Sequence, residues 1–137
     1  MKSKILTSLF VAVIAVCLFT AFKSQETGKV YFIRSTNYVG TLVNNKVYID
    51  DKLVCHLKNN HYSVHTIEAG EHTVSVSNTG LGSHAKSRPV KINVVANKNN
   101  YLMVVNGKQL SLQELVESSA QDLLKKVVET KDCSPAK

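Results

Sequence analysis

The stretch from Lys46 to Ser77 constrains this chain more than any other. It holds short runs of alternating side chains, Lys46 to Asp50, Lys52 to Leu57 and His61 to Ser77, the last broken at Ala69-Gly70. Val47 and Ile49 point one way and Tyr48 the other. Leu53, Cys55 and Leu57 alternate with Lys52, Val54 and His56. Beyond Gly70, His72, Val74 and Val76 share a face, and Thr73, Ser75 and Ser77 share a solvent-tolerant one. A repeat of two places successive side chains on opposite faces, which is strand and not helix. The pairs Asp50-Asp51 and Asn59-Asn60 are turn formers, because Asp and Asn tolerate positive φ. This chain is therefore expected to be mostly β.

The flanks extend that pattern. Lys29 to Ser35 is apolar on both faces, which predicts a central strand covered on both sides. Tyr38 to Val43 reads as extended, with a turn at Asn44-Asn45. Asn78 to Arg88 is the longest polar loop. It contains Gly80 and Gly82, but a strand follows where a phosphate-binding loop would open a helix, so it reads as a connector. Pro89 to Ala96 and Tyr101 to Val105 are the last predicted strands. Ser111 and Glu114 have the spacing of a capping box, and Leu112, Leu115, Val116, Ala120, Leu123, Leu124, Val127 and Val128 form an apolar stripe at helical spacing. The spacing predicts an amphipathic helix over 111–131. It would pack on the domain's own sheet, or dock on a partner or a membrane surface.

The N-terminus carries a different signal. Lys2 and Lys4 precede Ile5 to Phe22, an apolar run without charge. Residues 1–24 are expected to be a signal peptide or a membrane anchor, with the rest of the chain on the extracytoplasmic side. Phe19 or Phe22 would occupy the −3 position of a cleavage site, where a small residue is wanted. Val16 before Cys17 departs from a lipobox. Cleavage, retention and lipidation at Cys17 stay open. Setting aside Lys2, Lys4 and Lys23, the formal charge of +7 falls to +4, fourteen basic against ten acidic side chains. The basic residues are scattered, without the clustered footprint of a nucleic-acid binder.

Two segments carry a resemblance. Val47-Tyr48-Ile49-Asp50-Asp51-Lys52-Leu53-Val54 and Ile67-Glu68-Ala69-Gly70-Glu71-His72-Thr73-Val74-Ser75-Val76 resemble the core of a PEGA-type repeat. The wider frame, about Gly28 to Val128, is similar to an uncharacterised family of bacterial exported proteins, many of them lipoproteins. The resemblance implies a small antiparallel β-sandwich of about seven strands over 25–110, at the cell envelope, and no established activity. It also implies that His72 is a corner residue bonded to backbone. Ala69 stands where Pro is common in that pattern.

Candidate chemistry is sparse. His56, His61, His65 and His72 invite a metal hypothesis, but His61 and His65 on one extended strand lie about 13 Å apart, too far for adjacent ligands. His56 could face His61 if Asn59-Asn60 closes a hairpin. Cys55 is expected to be buried and unpaired, with a Cys55–Cys133 disulfide as the alternative. No catalytic, cofactor or metal residue is assigned. The function expected is a non-enzymatic envelope domain that binds a protein or a surface polymer. The alternatives are a metal-binding or enzymatic protein using the His56/His61/His65/His72 cluster, and a structural self-associating module.

Overall fold

The computed structural model describes residues 25–36, 43–79, 86–131 and 133. The leader with Cys17, most of the Tyr38–Val43 run and the centre of the Asn78–Arg88 loop lie outside them. Nine strands and one helix follow in order: β1 (Thr27–Arg34), β2 (Asn45–Ile49), β3 (Lys52–Leu57), β4 (His61–Glu68), β5 (Gly70–Asn78), β6 (Val90–Val94), β7 (Asn99–Asn106), β8 (Leu110–Leu115), α1 (Glu117–Leu124) and β9 (Val128–Glu129). They form two sheets, ordered β8-β7-β1-β4-β9 and β3-β2-β5-β6. The chain is mainly β, as its alternation requires. The expected seven antiparallel strands become nine described ones, and two pairings, β1 with β7 and β4 with β9, are parallel. Both join strands distant in sequence, so neither needs a tight turn.

The two sheets face each other across one apolar core. Val30, Phe32, Leu102, Val104 and Leu112 of the first sheet meet Val47, Leu57, Val74, Val76, Ile92 and Val94 of the second. β1 lies in the middle of its sheet, as its two apolar faces predicted. Its other face contributes Ile33 to a second cluster with Tyr101, Ala120 and Val127, against which Tyr31, Leu115, Leu123 and Leu124 pack. Thus α1 covers the outer face of the first sheet, and the apolar stripe serves the domain's own packing. No helix among the described residues is long and apolar enough to cross a membrane.

The expected helix over 111–131 is corrected. Leu110 to Leu115 is an edge strand, antiparallel to β7, with Val104 opposite Leu112 and Val105 opposite Ser111. Ser111 therefore caps nothing. α1 begins after Val116, which makes no side-chain capping bond. The reason is the turn after Asn106-Gly107, which returns the chain alongside β7. There the segment gains ladder hydrogen bonds and buries Leu112. Leu112 and Leu115 suit a helical stripe, but in the ladder Leu110 and Leu112 face the main core and Leu115 the outer cluster. Val116 and Val128, assigned to the stripe, are exposed.

The run from Lys46 to Ser77 is not one meander. β2 pairs with both β3 and β5, whereas β4, between them in sequence, belongs to the other sheet. The Asp50-Asp51 turn is a true hairpin with both residues at positive φ (48° and 61°). The Asn59-Asn60 turn instead carries the chain across to the other sheet, and Gly70, at φ 145°, carries it back. Asn45 is not in a turn: it opens β2 and is fully buried. In β3 the register shifts so that Val47 faces Cys55 and Tyr48 faces Leu53. Val54 is the extra residue of a bulge, and the strand's parity resets there. Leu53 is consequently exposed while Val54 and Cys55 are buried. Ser75 and Ser77, expected to face solvent, are covered. Ser87 folds over this edge, its amide donating to Val76 O and its hydroxyl accepting from Val76 N.

Gly28 marks the tightest backbone approach. A Cβ there would stand 2.6 Å from Val95 O and 2.7 Å from Val94 Cγ1. The neighbouring bond from Lys29 N to Lys98 O holds that strand in place. Gly28→Ala is expected to cost about 2 kcal/mol through overpacking, measured by chemical denaturation.

Candidate functional site

The four histidines proposed as a cluster do not converge. His56 is exposed on β3. His61 begins β4 in the opposite sheet, with Nδ1 2.7 Å from Asn59 O. Because Asn59-Asn60 joins two sheets, it does not close a hairpin that would set His56 against His61. His72 lies at the far corner of β5. Only His65 points between the sheets, in step with Ser63 and Ile67.

There it meets both cysteines. The bulge at Val54 turns Cys55 inward. β9 lays the C-terminal tail along β4, with Val128 N donating to Asn60 O and Thr130 N donating to Tyr62 O. The tail then crosses the edge where β3 and β4 come together, and Cys133 forms a disulfide with Cys55. The expectation of an unpaired Cys55 is thus corrected. What sequence alone lacked was β9, two residues long, which carries the tail to that edge. One ligand-capable atom from each of Cys55, His65 and Cys133 lies within 4.8 Å of the others. His65 is 4% exposed. Its Nε2 lies 3.1 Å from Ser63 Oγ, and its ring meets the edge of Phe32 at 5.7 Å between centroids. Burial pushes its pKa down to about 4, so the ring is neutral at neutral pH.

The corner at Gly70 is a second polar constellation. His72 Nδ1 lies 2.7 Å from Asp50 Oδ2, and Nε2 lies 2.9 Å from Glu68 O. A carboxylate and a carbonyl only accept, so the ring donates twice and is held as imidazolium. Burial lowers the His72 pKa, but the bonds to Asp50 and to the Glu68 carbonyl outweigh it, and the net shift is upward. Burial would raise the Asp50 pKa; the Thr73 amide and His72 outweigh that and lower it. This geometry agrees with the corner role expected for His72. Its stabilising effect is present below pH ~6.5 and is lost as pH rises through the raised His72 pKa. On the acid side it is lost as Asp50 protonates. Asp50 is half exposed, so His72→Ala is expected to cost only about 1 kcal/mol at pH 6, and less above pH 8, by urea titration at both values.

Arg34 is a site that the pattern reading passed over. It is 1% exposed and ends β1 in step with Val30 and Phe32, so its guanidinium enters the sandwich. Nη1 donates to Val43 O at 2.7 Å and to Leu57 O at 3.0 Å. Burial lowers its pKa below the ordinary value of a guanidinium. Beside it in the fold, fully buried Asn45 donates through Nδ2 to Asn78 Oδ1 at 2.7 Å. The in-step position of Arg34 was the available signal. These bonds tie β1 and β3 to the backbone before β2 and act as a polar end plug.

Residues 24–113 match the family described as protein of unknown function (DUF2846). The chain belongs to that family. No curated protein and no solved structure matches it. The DUF2846 region contains β1 to β7 and most of β8, and with them Cys55, His65, Arg34 and the Asp50–His72 corner. α1, β9 and Cys133 lie beyond it. The cluster at the sandwich edge therefore combines two residues of the DUF2846 region with one from the C-terminal tail.

Proposed function

We infer that this chain is a non-enzymatic cell-envelope domain, a disulfide-clamped sandwich held outside the bacterial cytoplasm, that binds another protein or a surface polymer. The Cys55–Cys133 disulfide carries the reading. Such bonds persist in oxidising compartments and are rare in a reducing cytosol. Two features of the sequence agree with it. Lys2 and Lys4 before the apolar Ile5–Phe22 run are the marks of an export signal or anchor. The wider frame, about Gly28 to Val128, is similar to an uncharacterised family of bacterial exported proteins. Binding, rather than catalysis, is favoured because Arg34 Nη1, Asn45 Nδ2 and both nitrogens of the His72 ring are engaged in holding backbone or neighbouring side chains.

Cell fractionation with thiol labelling tests the compartment. The full chain is expected in the envelope fraction with Cys55 and Cys133 unreactive, and a chain lacking residues 1–24 in the cytoplasm with both reactive. Full-length protein in the cytoplasm with free thiols would contradict the reading. For the binding activity, saturable co-sedimentation with purified cell-wall polymer, or a discrete crosslink to an envelope protein, is expected. Neither appearing would remove the binding claim.

A further inference from the structure

We propose that, when its disulfide is reduced, this protein binds one thiophilic d10 cation, Zn2+ or Cu+, through Cys55 Sγ, Cys133 Sγ and one ring nitrogen of His65. The disulfide and the metal are then alternative occupants of the same pair of sulfurs. This goes beyond the envelope-binding reading and does not depend on it.

Convergence comes first. The three donors come from β3, β4 and the tail, far apart in sequence, yet they meet within 4.8 Å. Around tetrahedral zinc, with Zn–S of about 2.3 Å and Zn–N of about 2.0–2.1 Å, donors stand roughly 3.5–3.8 Å apart. Once the S–S bond opens, the sulfurs need only move from bonding distance to that spacing, and the imidazole needs to approach by no more than about 1 Å. Cys55 lies on β3 and His65 on β4, and each strand is held by the ladder of its own sheet. Cys133 follows the last strand on a tail, so it is the donor best able to take up that movement.

Donor chemistry points the same way. Two thiolates and an imidazole are the ligand types that soft d10 ions prefer over hard cations. With Nδ1 as the ligand atom, Ser63 Oγ, 3.1 Å from Nε2, stands where outer partners of metal-bound histidines do. Two thiolates beside Phe32 and Leu57 would be costly without a compensating cation. Three protein donors match the low coordination of Cu+, and with one water they match Cys2His zinc.

The electrons and protons balance with a dithiol reductant. The disulfide takes up two electrons and two protons to become two thiols, while the dithiol becomes a disulfide. Metal binding then releases the two thiol protons. Thiol–disulfide exchange runs through a mixed disulfide, and Cys133 is the less buried residue of the pair.

The test is equilibrium dialysis of the full chain under anaerobic conditions, with elemental analysis, against Zn2+ in one arm and Cu+ in the other. Reduced wild type is expected to retain one equivalent of at least one of these ions. Oxidised wild type, a folded control whose sulfurs are occupied, is expected to retain none. His65→Ala in the reduced state is expected to bind at least about tenfold more weakly, and Cys133→Ser to lose the stoichiometric site. Retention in the zinc arm, the copper arm or both identifies the ion. The proposal is overturned if reduced wild type retains no more metal than oxidised, or if His65→Ala binds as wild type does. It is also overturned if the reduced protein loses its β-sheet circular dichroism and metal does not restore it.

Discussion

Cys133→Ser is expected to lower the unfolding free energy of the oxidised protein by about 4 kcal/mol. The bond spans 78 residues of sequence, and closing a loop of that size restricts the unfolded chain by about 4–4.5 kcal/mol in the loop-entropy description. For a domain whose total stability is about 5–15 kcal/mol, this is a large share. Cys133 is the better position to change. Cys55 is 2% exposed in the core, and a serine there would add a buried hydroxyl to the lost bond. Urea titration should give the variant a lower midpoint than oxidised wild type. Wild type in excess reductant, with chelator present, should match the variant. Coincident oxidised curves would mean that the bond does not form or does not constrain the chain.

Acidification should produce the second large effect, through His65. The native state holds its imidazole neutral with a pKa of about 4, whereas the unfolded chain takes up the proton near pH 6.5. Between those values the unfolded state binds more protons, so stability rises with pH across this window. It is complete above pH ~6.5 and falls by about 3 kcal/mol as pH drops toward 4. His72 has the opposite sign, but it is more exposed and its contribution is smaller. His65→Leu keeps an apolar side chain between the sheets and removes the titrating group. Its stability is expected to be nearly flat from pH 6.5 to 4.5 where wild type declines. An equal decline in both proteins would assign the acid sensitivity elsewhere.

Much of the β character was legible residue by residue. The double apolar pattern of Lys29–Ser35 marked β1 as central, and Asp50-Asp51 announced a hairpin whose positive φ values are present. The Gly70 corner was readable because few residues other than glycine adopt φ 145°. What alternation could not show was which sheet a strand joins. β3 and β4 both alternate, yet they lie in different sheets, and the pattern is blind to that choice. Nor could it show the bulge at Val54, where one extra residue reverses the faces of everything before it. Ser111-x-x-Glu114 looked like a helix start because local spacing cannot weigh a ladder offered by β7. For Arg34 the local signal of burial is its parity with Val30 and Phe32 on β1. The cluster was the least legible feature. His65 was grouped with three other histidines by sequence distance, while its actual neighbours, Cys55 and Cys133, are brought in by a bulge and a two-residue strand.

The C-terminal tail closes the sandwich edge through Cys55 and Cys133. Differential alkylation of the full chain isolated from its native compartment, followed by proteolysis and mass spectrometry, tests this directly. The expected result is a single crosslinked peptide pair containing Cys55 and Cys133, two hydrogens lighter than the free peptides, with neither sulfur alkylated before reduction. Both cysteines alkylated without reduction and without denaturant, in protein that carries no metal, would contradict it.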